Sequence, residues 1–247
     1  MAGRKLKIAT SDGSCGATLF APPRPAGNGA AVIVYMDAFG PRSAMDLMAE
    51  RLAGLGYAAL VPDLFYRFGA YGPFDAKTAF SDPETGARIR RMIGETTQAM
   101  TAADTGVFLA ALAAEGFGGK VATVGYCMGG ARAITAAAHH PDRIVAAASF
   151  HGGNLAGDAP DSPAANAAKL KHARVYVGVA AVDKSFPPEQ SAKLALALRE
   201  AEVDHAVENY VGCAHGWAVP DHSVYDQAGA ERHWKRLETL FAETLRA

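Results

Sequence analysis

The stretch Lys120-Val121-Ala122-Thr123-Val124-Gly125-Tyr126-Cys127-Met128-Gly129-Gly130 decides how the rest of the chain is read. Lys120 to Tyr126 is an apolar run of strand length, and a helical pattern follows at once from Met128 to about His140, so Cys127 falls on the turn between them. The segment Gly125 to Gly129 fits the G-x-S-x-G strand-to-helix elbow, with cysteine where serine usually stands. In such a tight turn the central residue is strained and its flanks run close to the neighbouring strand and helix, which demands glycine there. The sulfur is left at the C-terminal edge of a sheet and at the positive end of a helix, where a thiolate is stabilised.

Working outward, Ala30 to Tyr35 is a continuous apolar run without polar alternation, the pattern of a strand covered on both faces. After it come a turn, Asp37-Ala38-Phe39-Gly40, and a helix over Pro41 to Leu55 with Met45, Met48, Ala49 and Leu52 at helical spacing before Gly56. Ala58 to Pro62 supplies the next buried strand. Toward the N-terminus, Leu6 to Ala21 alternates weakly around Asp12-Gly13, predicting an antiparallel hairpin, and Pro22 to Gly29 reads as a loop. Asp63 to Phe80, rich in glycine, proline and aromatics, is a long connection of the kind that walls or covers a functional site. Thr85 to Ala114 reads as mostly helical. Beyond the elbow, Ile144 to Phe150, Ala173 to Val182 and His205 to Val211 repeat the strand signal, and helices are predicted over Pro188 to Ala201 and Tyr225 to Arg246. This β-α-β-α order predicts an α/β architecture, a doubly wound and mostly parallel sheet with helices on both faces, forming one domain over residues 1–247.

With 247 residues, half of them hydrophobic, the chain can bury one sizeable core. A formal net charge of -1 leaves no basic footprint for nucleic acid or for an anionic membrane, so a small-molecule partner is expected. Cys15, Cys127 and Cys213 lack the spacing of a disulfide framework or a zinc site and read as thiols in a reducing compartment. Met1 to Thr10 holds no apolar run of signal-peptide length and no stretch approaches a membrane span, which points to the cytoplasm. His139, His140, His172, His205, His222 and His233 show no metal-ligand spacing, and neither metal nor cofactor is implied.

A thiol nucleophile needs a base to take its proton and a carboxylate to orient that base. Asp183 directly follows the run Val175 to Val182, and His215 follows the strand ending at Val211, within Gly212-Cys213-Ala214-His215-Gly216. Taken singly, these residues read as a packing cysteine, a helix-capping aspartate and a structural histidine. Together, each at a strand end and in the order nucleophile, acid, histidine, they point to catalysis.

On Gly125-Tyr126-Cys127-Met128-Gly129-Gly130, on Ala59-Leu60-Val61-Pro62-Asp63-Leu64-Phe65 and on Ala214-His215-Gly216, the chain resembles the dienelactone hydrolase family of α/β-hydrolases over nearly its whole length. The resemblance implies nucleophile Cys127, orienting acid Asp183 and base His215. It implies an oxyanion hole from the backbone N–H groups of Met128 and Ala38. It also implies an acidic partner for the resting thiol at Asp37, where the family usually has the longer glutamate. Of the two arginines with which family members clamp a dienelactone carboxylate, the one after the histidine is replaced by Val219, and Arg88, Arg90 or Arg91 stands for the other. Phe39, Tyr66, Phe68, Tyr71, Phe74 and Trp217 are expected around the mouth of the site, with Tyr126 and His151 as further candidates for substrate contact. The expected activity is hydrolysis of a small carboxylic ester or lactone by a monomer or homodimer. The alternatives are phosphotriester hydrolysis at the same site, or a non-catalytic small-molecule receptor on the same fold.

Overall fold

Apolar runs without polar alternation become the middle of one eight-stranded sheet, and the half-polar runs become its edges. The computed structural model describes residues 3–24 and 29–246; within the predicted loop Pro22 to Gly29, residues 25–28 lie outside the described residues. The strands are β1 (Arg4–Thr10), β2 (Gly13–Phe20), β3 (Ala31–Tyr35), β4 (Ala58–Pro62), β5 (Val121–Tyr126), β6 (Ile144–Phe150), β7 (Arg174–Val182) and β8 (His205–Ala214). They lie in the order β1-β2-β4-β3-β5-β6-β7-β8. β1, β2 and β4 pair antiparallel, with the hairpin turning between Thr10 and Gly13, and the pairings from β4 through β3 to β8 are parallel. Every residue of β3, β4 and β5 is buried, whereas β1 and β8 alternate with solvent as edge strands do.

The helices are α1 (Ser43–Gly54), α2 (Pro83–Glu95), α3 (Gln98–Ala114), α4 (Met128–His139), α5 (Pro188–Glu200) and α6 (Gln227–Leu245). α1 and α6 lie against one face, bridged by Arg51 and Glu231, and α3 packs on α4. α4 is buried from Met128 to Ala138, which its run of glycine and alanine permits, since small side chains let its backbone approach β3, β5 and β6.

The mostly helical stretch Thr85 to Ala114 is made of two helices, because Thr96 is extended and the Thr97 hydroxyl accepts the Met100 N–H as the cap of a new helix. The Asp63 to Phe80 connection is irregular apart from a single 3-10 turn at Tyr66–Phe68.

Candidate active site

β5 delivers Cys127 and α4 begins immediately after it. Cys127 adopts φ 55° and ψ -121°, a conformation rare for any residue but glycine. The turn closes only because its flanks lack Cβ atoms: one on Gly125 would lie 1.8 Å from the Gly129 oxygen, and one on Gly129 would lie 2.3 Å from the Tyr35 oxygen. The end of β3 is thereby pressed against the first turn of α4. From below, the Cys127 N–H donates to the Phe150 carbonyl at 3.2 Å and to His151 Nδ1 at 3.1 Å. His151 is itself at φ 40° and fully buried. Burial first, and the neighbouring His215 and His222 second, push its pKa well below the usual imidazole value, so it accepts that bond as a neutral ring.

His215 sits in the loop after β8 with Nδ1 2.7 Å from Asp183 Oδ2. The other Asp183 oxygen accepts both the Ser185 N–H at 2.8 Å and the Ser185 hydroxyl at 2.6 Å. Ser185 was not anticipated from the sequence, although Asp-x-Ser is a recognisable side-chain turn. Burial would lower the His215 pKa, but hydrogen bonds to Asp183 and then to the Cys127 sulfur override it and raise the value to about 10. Burial opposes ionisation of Asp183 too, and its bond to His215 still holds it below the ordinary carboxylate value. Cys127, His215 and Asp183 thus line one cavity, and the charged form of the imidazole is favoured by the carboxylate beside it.

The remaining expected positions divide. Asp37 is fully buried, but its carboxylate is taken up elsewhere than at the thiol. Arg42 donates to both oxygens at 2.7 and 2.9 Å, His222 Nε2 lies 2.9 Å from Oδ2, and the Phe39 N–H donates to Oδ1. Arg42 also grips Asp221 at 2.5 and 2.8 Å, so this network ties the loop after β3 to the loop beyond His215. Ala38 is buried within the loop that this network pins.

A cavity of about 700 Å³ opens over Cys127, His215 and Asp183, walled by Phe39, Phe80, Ile93, Met128, Arg132 and Val182 among others. Phe39 and Met128 are thus where the sequence reading has them. Trp217 and Tyr126 are not: both are fully buried, Trp217 stacked on Tyr210 and Tyr126 bonded to His233. His151 lies beneath the elbow rather than in the cavity wall. Arg88 lines a separate cavity with Tyr71 and Phe74, and Arg91 is an exposed partner of Glu95. Large aromatics this close to a sheet edge read equally well as core or as cavity wall, and only the packing separates the two. His222, which had no partner pattern in sequence, lines the cavity.

An elbow on a central parallel strand, followed by acid and histidine at the ends of β7 and β8, defines an α/β-hydrolase. The comparison with known proteins narrows this. The model of the dienelactone hydrolase family matches residues 16–245, and the chain belongs to that family of hydrolases. A Synechocystis protein provisionally assigned as a carboxymethylenebutenolidase is 26% identical over 231 residues, covering 92% of this chain and 91% of its own. A provisionally assigned dienelactone hydrolase from Klebsiella pneumoniae shares the fold with a TM-score of 0.84 at 23% identity, covering 98% of both chains. A dienelactone hydrolase-like promiscuous phosphotriesterase from metagenomic libraries superposes with a TM-score of 0.77 at 27% identity, again over 98% of both. Among the described residues no helix is long and apolar enough to cross a membrane.

Proposed function

We propose that the chain hydrolyses small carboxylic esters or lactones through Cys127, His215 and Asp183. The observation that carries this reading is the Asp183–His215 hydrogen bond of 2.7 Å beside Cys127, all three lining one open cavity. The Cys127 thiolate attacks the carbonyl carbon, and the carbonyl electron pair moves onto oxygen. That oxyanion is held by the N–H of Met128, one of the unpaired donors at the start of α4, and by the N–H of Ala38. Collapse expels the alcohol, which takes its proton from His215, and leaves a thioester on Cys127. Neutral His215 then removes a proton from water, the resulting hydroxide attacks the thioester, and the C–S bond breaks to release the acid and restore the ion pair. Asp37, with its carboxylate engaged by Arg42 and His222, serves here to fix the loop bearing Ala38.

Cys127→Ala is expected to abolish hydrolysis of p-nitrophenyl acetate while leaving the fold intact by circular dichroism. Retention of the parental rate by that variant overturns the assignment. A second reading is supported by the phosphotriesterase relative: the same thiolate and donors meet tetrahedral phosphorus as readily as a tetrahedral carbon intermediate. Parallel kinetics on paraoxon and aryl esters decide between them. The presence of Cys127, His215 and Asp183 around one cavity speaks against a non-catalytic receptor.

A further inference from the structure

We propose that His151 is a positioning residue for the reaction at Cys127: wedged beneath the elbow, its ring accepts the nucleophile's own backbone N–H on one side and supports the imidazole of His215 on another. The inference rests on the ester-hydrolase reading above and adds to it a residue that stands behind the cavity wall rather than in it.

β5 and β6 run parallel with Tyr126 beside Phe150, so the next residues, Cys127 and His151, leave the sheet side by side. Both turn into positive φ, 55° for Cys127 and 40° for His151. His151 is then laced across three strands. Its N–H donates to the Gly178 carbonyl of β7 at 2.9 Å, and its Nδ1 accepts the Cys127 N–H at 3.1 Å, a donor shared with the Phe150 carbonyl at 3.2 Å. The same ring meets His215 edge to face, with centroids 5.1 Å apart and planes at 63°. Trp217, at 5.0 Å and 72°, closes it from a further side. Asp183 thus fixes His215 through Nδ1, and His151 limits the tilt of the same ring.

This placement is unfavourable in two ways. A residue other than glycine at φ 40° is strained, and His151 Nε2 is buried with no hydrogen-bond partner among the described residues. Glycine would escape the strain, and an apolar filler such as phenylalanine would leave no nitrogen unsatisfied. Neither would supply the acceptor for Cys127. The bond also fixes the tautomer, since Nδ1 must carry the lone pair and Nε2 the proton. A proton on Nδ1 would set two donors against each other and place a second cation against His215. Burial first, and then His215, His222 and His233, hold the ring neutral, which leaves the positive charge to His215.

The test sets His151→Asn beside His151→Phe. Asparagine keeps an acceptor near the place of Nδ1 and tolerates positive φ, whereas phenylalanine keeps a ring and loses the acceptor. With p-nitrophenyl butyrate, His151→Phe is expected to lower kcat by about 10- to 100-fold with KM within about twofold, because a small misplacement of reacting groups acts on the chemical step. His151→Asn is expected to recover most of that loss. Alkylation of Cys127 by iodoacetamide, followed on its peptide by mass spectrometry, should slow in the phenylalanine variant and recover in the asparagine variant with no ester involved. In wild-type protein labelled with 15N-histidine, ring-nitrogen NMR should show His151 with a bare Nδ1 and a protonated Nε2. Equal kcat in all three proteins, equal losses in both variants, a loss carried by KM, or a protonated Nδ1 overturns the positioning role. Should His151→Phe not fold, the tautomer still decides. A wild type that hydrolyses no ester overturns the ester-hydrolase reading instead, and the alkylation rates still judge His151.

Discussion

Replacing Asp183 by Asn removes one negative charge from the proposed catalytic triad with almost no change of shape. The two Ser185 bonds to Oδ1 keep the amide pinned where the carboxylate stood. His215 Nδ1, 2.7 Å from Oδ2, then loses a charged acceptor. The rise of the His215 pKa from 6.5 to about 10 corresponds to roughly 5 kcal/mol of preference for the imidazolium, shared between Asp183 and Cys127. A hydrogen bond to a charged group accounts for about 1.5–3 kcal/mol of it. In the proposed mechanism the imidazolium donates a proton to the leaving alcohol and forms again when water is activated. Losing that share is therefore expected to lower kcat/KM for p-nitrophenyl butyrate by about 10- to 150-fold. The pKa governing activity should move down toward the ordinary imidazole value. Stopped-flow hydrolysis across pH measures both quantities. A variant within about threefold of wild type, with an unmoved pH profile, would show that Asp183 does not orient the base, and the mechanism fails with it.

Three further outcomes are expected. Gly129→Ala drives a Cβ to 2.3 Å from the Tyr35 oxygen and 2.5 Å from the Met36 oxygen, backbone atoms of a fully buried strand end. Urea denaturation should register a loss of about 4 kcal/mol or more, or no folded protein at all. Arg42→Met leaves the buried Asp37 carboxylate with His222 as its remaining side-chain partner, so stability should fall by about 3 kcal/mol and activity with it as the Ala38 loop loosens. For pH, His215 has a folded pKa above its unfolded value, so its contribution is complete below about 6.5 and is lost as pH rises toward about 10. The melting-temperature advantage of wild type over His215→Gln should shrink across that window, and an advantage that grows would contradict the ion pair.

Much of this protein is written in short-range signals. A strand buried on both faces must be apolar at every position, so β3, β4 and β5 could be read directly, and the half-exposed edge strand β8 could be read in part. The elbow declares itself because a positive φ at Cys127 and a backbone contact at Gly129 restrict local residue choice. The order of nucleophile, acid and histidine follows from strand ends that all open on one sheet edge. The break at Thr96-Thr97 also had a local signal, a threonine followed by a fresh helical run, which the surrounding helical pattern masked.

The amino-acid order by itself thus determined the sheet, the elbow and the three residues proposed for catalysis, because periodicity and turn chemistry act over a few residues. Only the tertiary structure decided that Asp37 is held by Arg42 and by a histidine 185 positions away, that Trp217 and Tyr126 are core, and that His151 lies beneath the elbow rather than in the cavity wall. Those outcomes depend on which loops meet at the sheet edge and which side chains a neighbouring helix covers. Contacts of that kind join distant segments of chain and leave no periodic trace in any one of them.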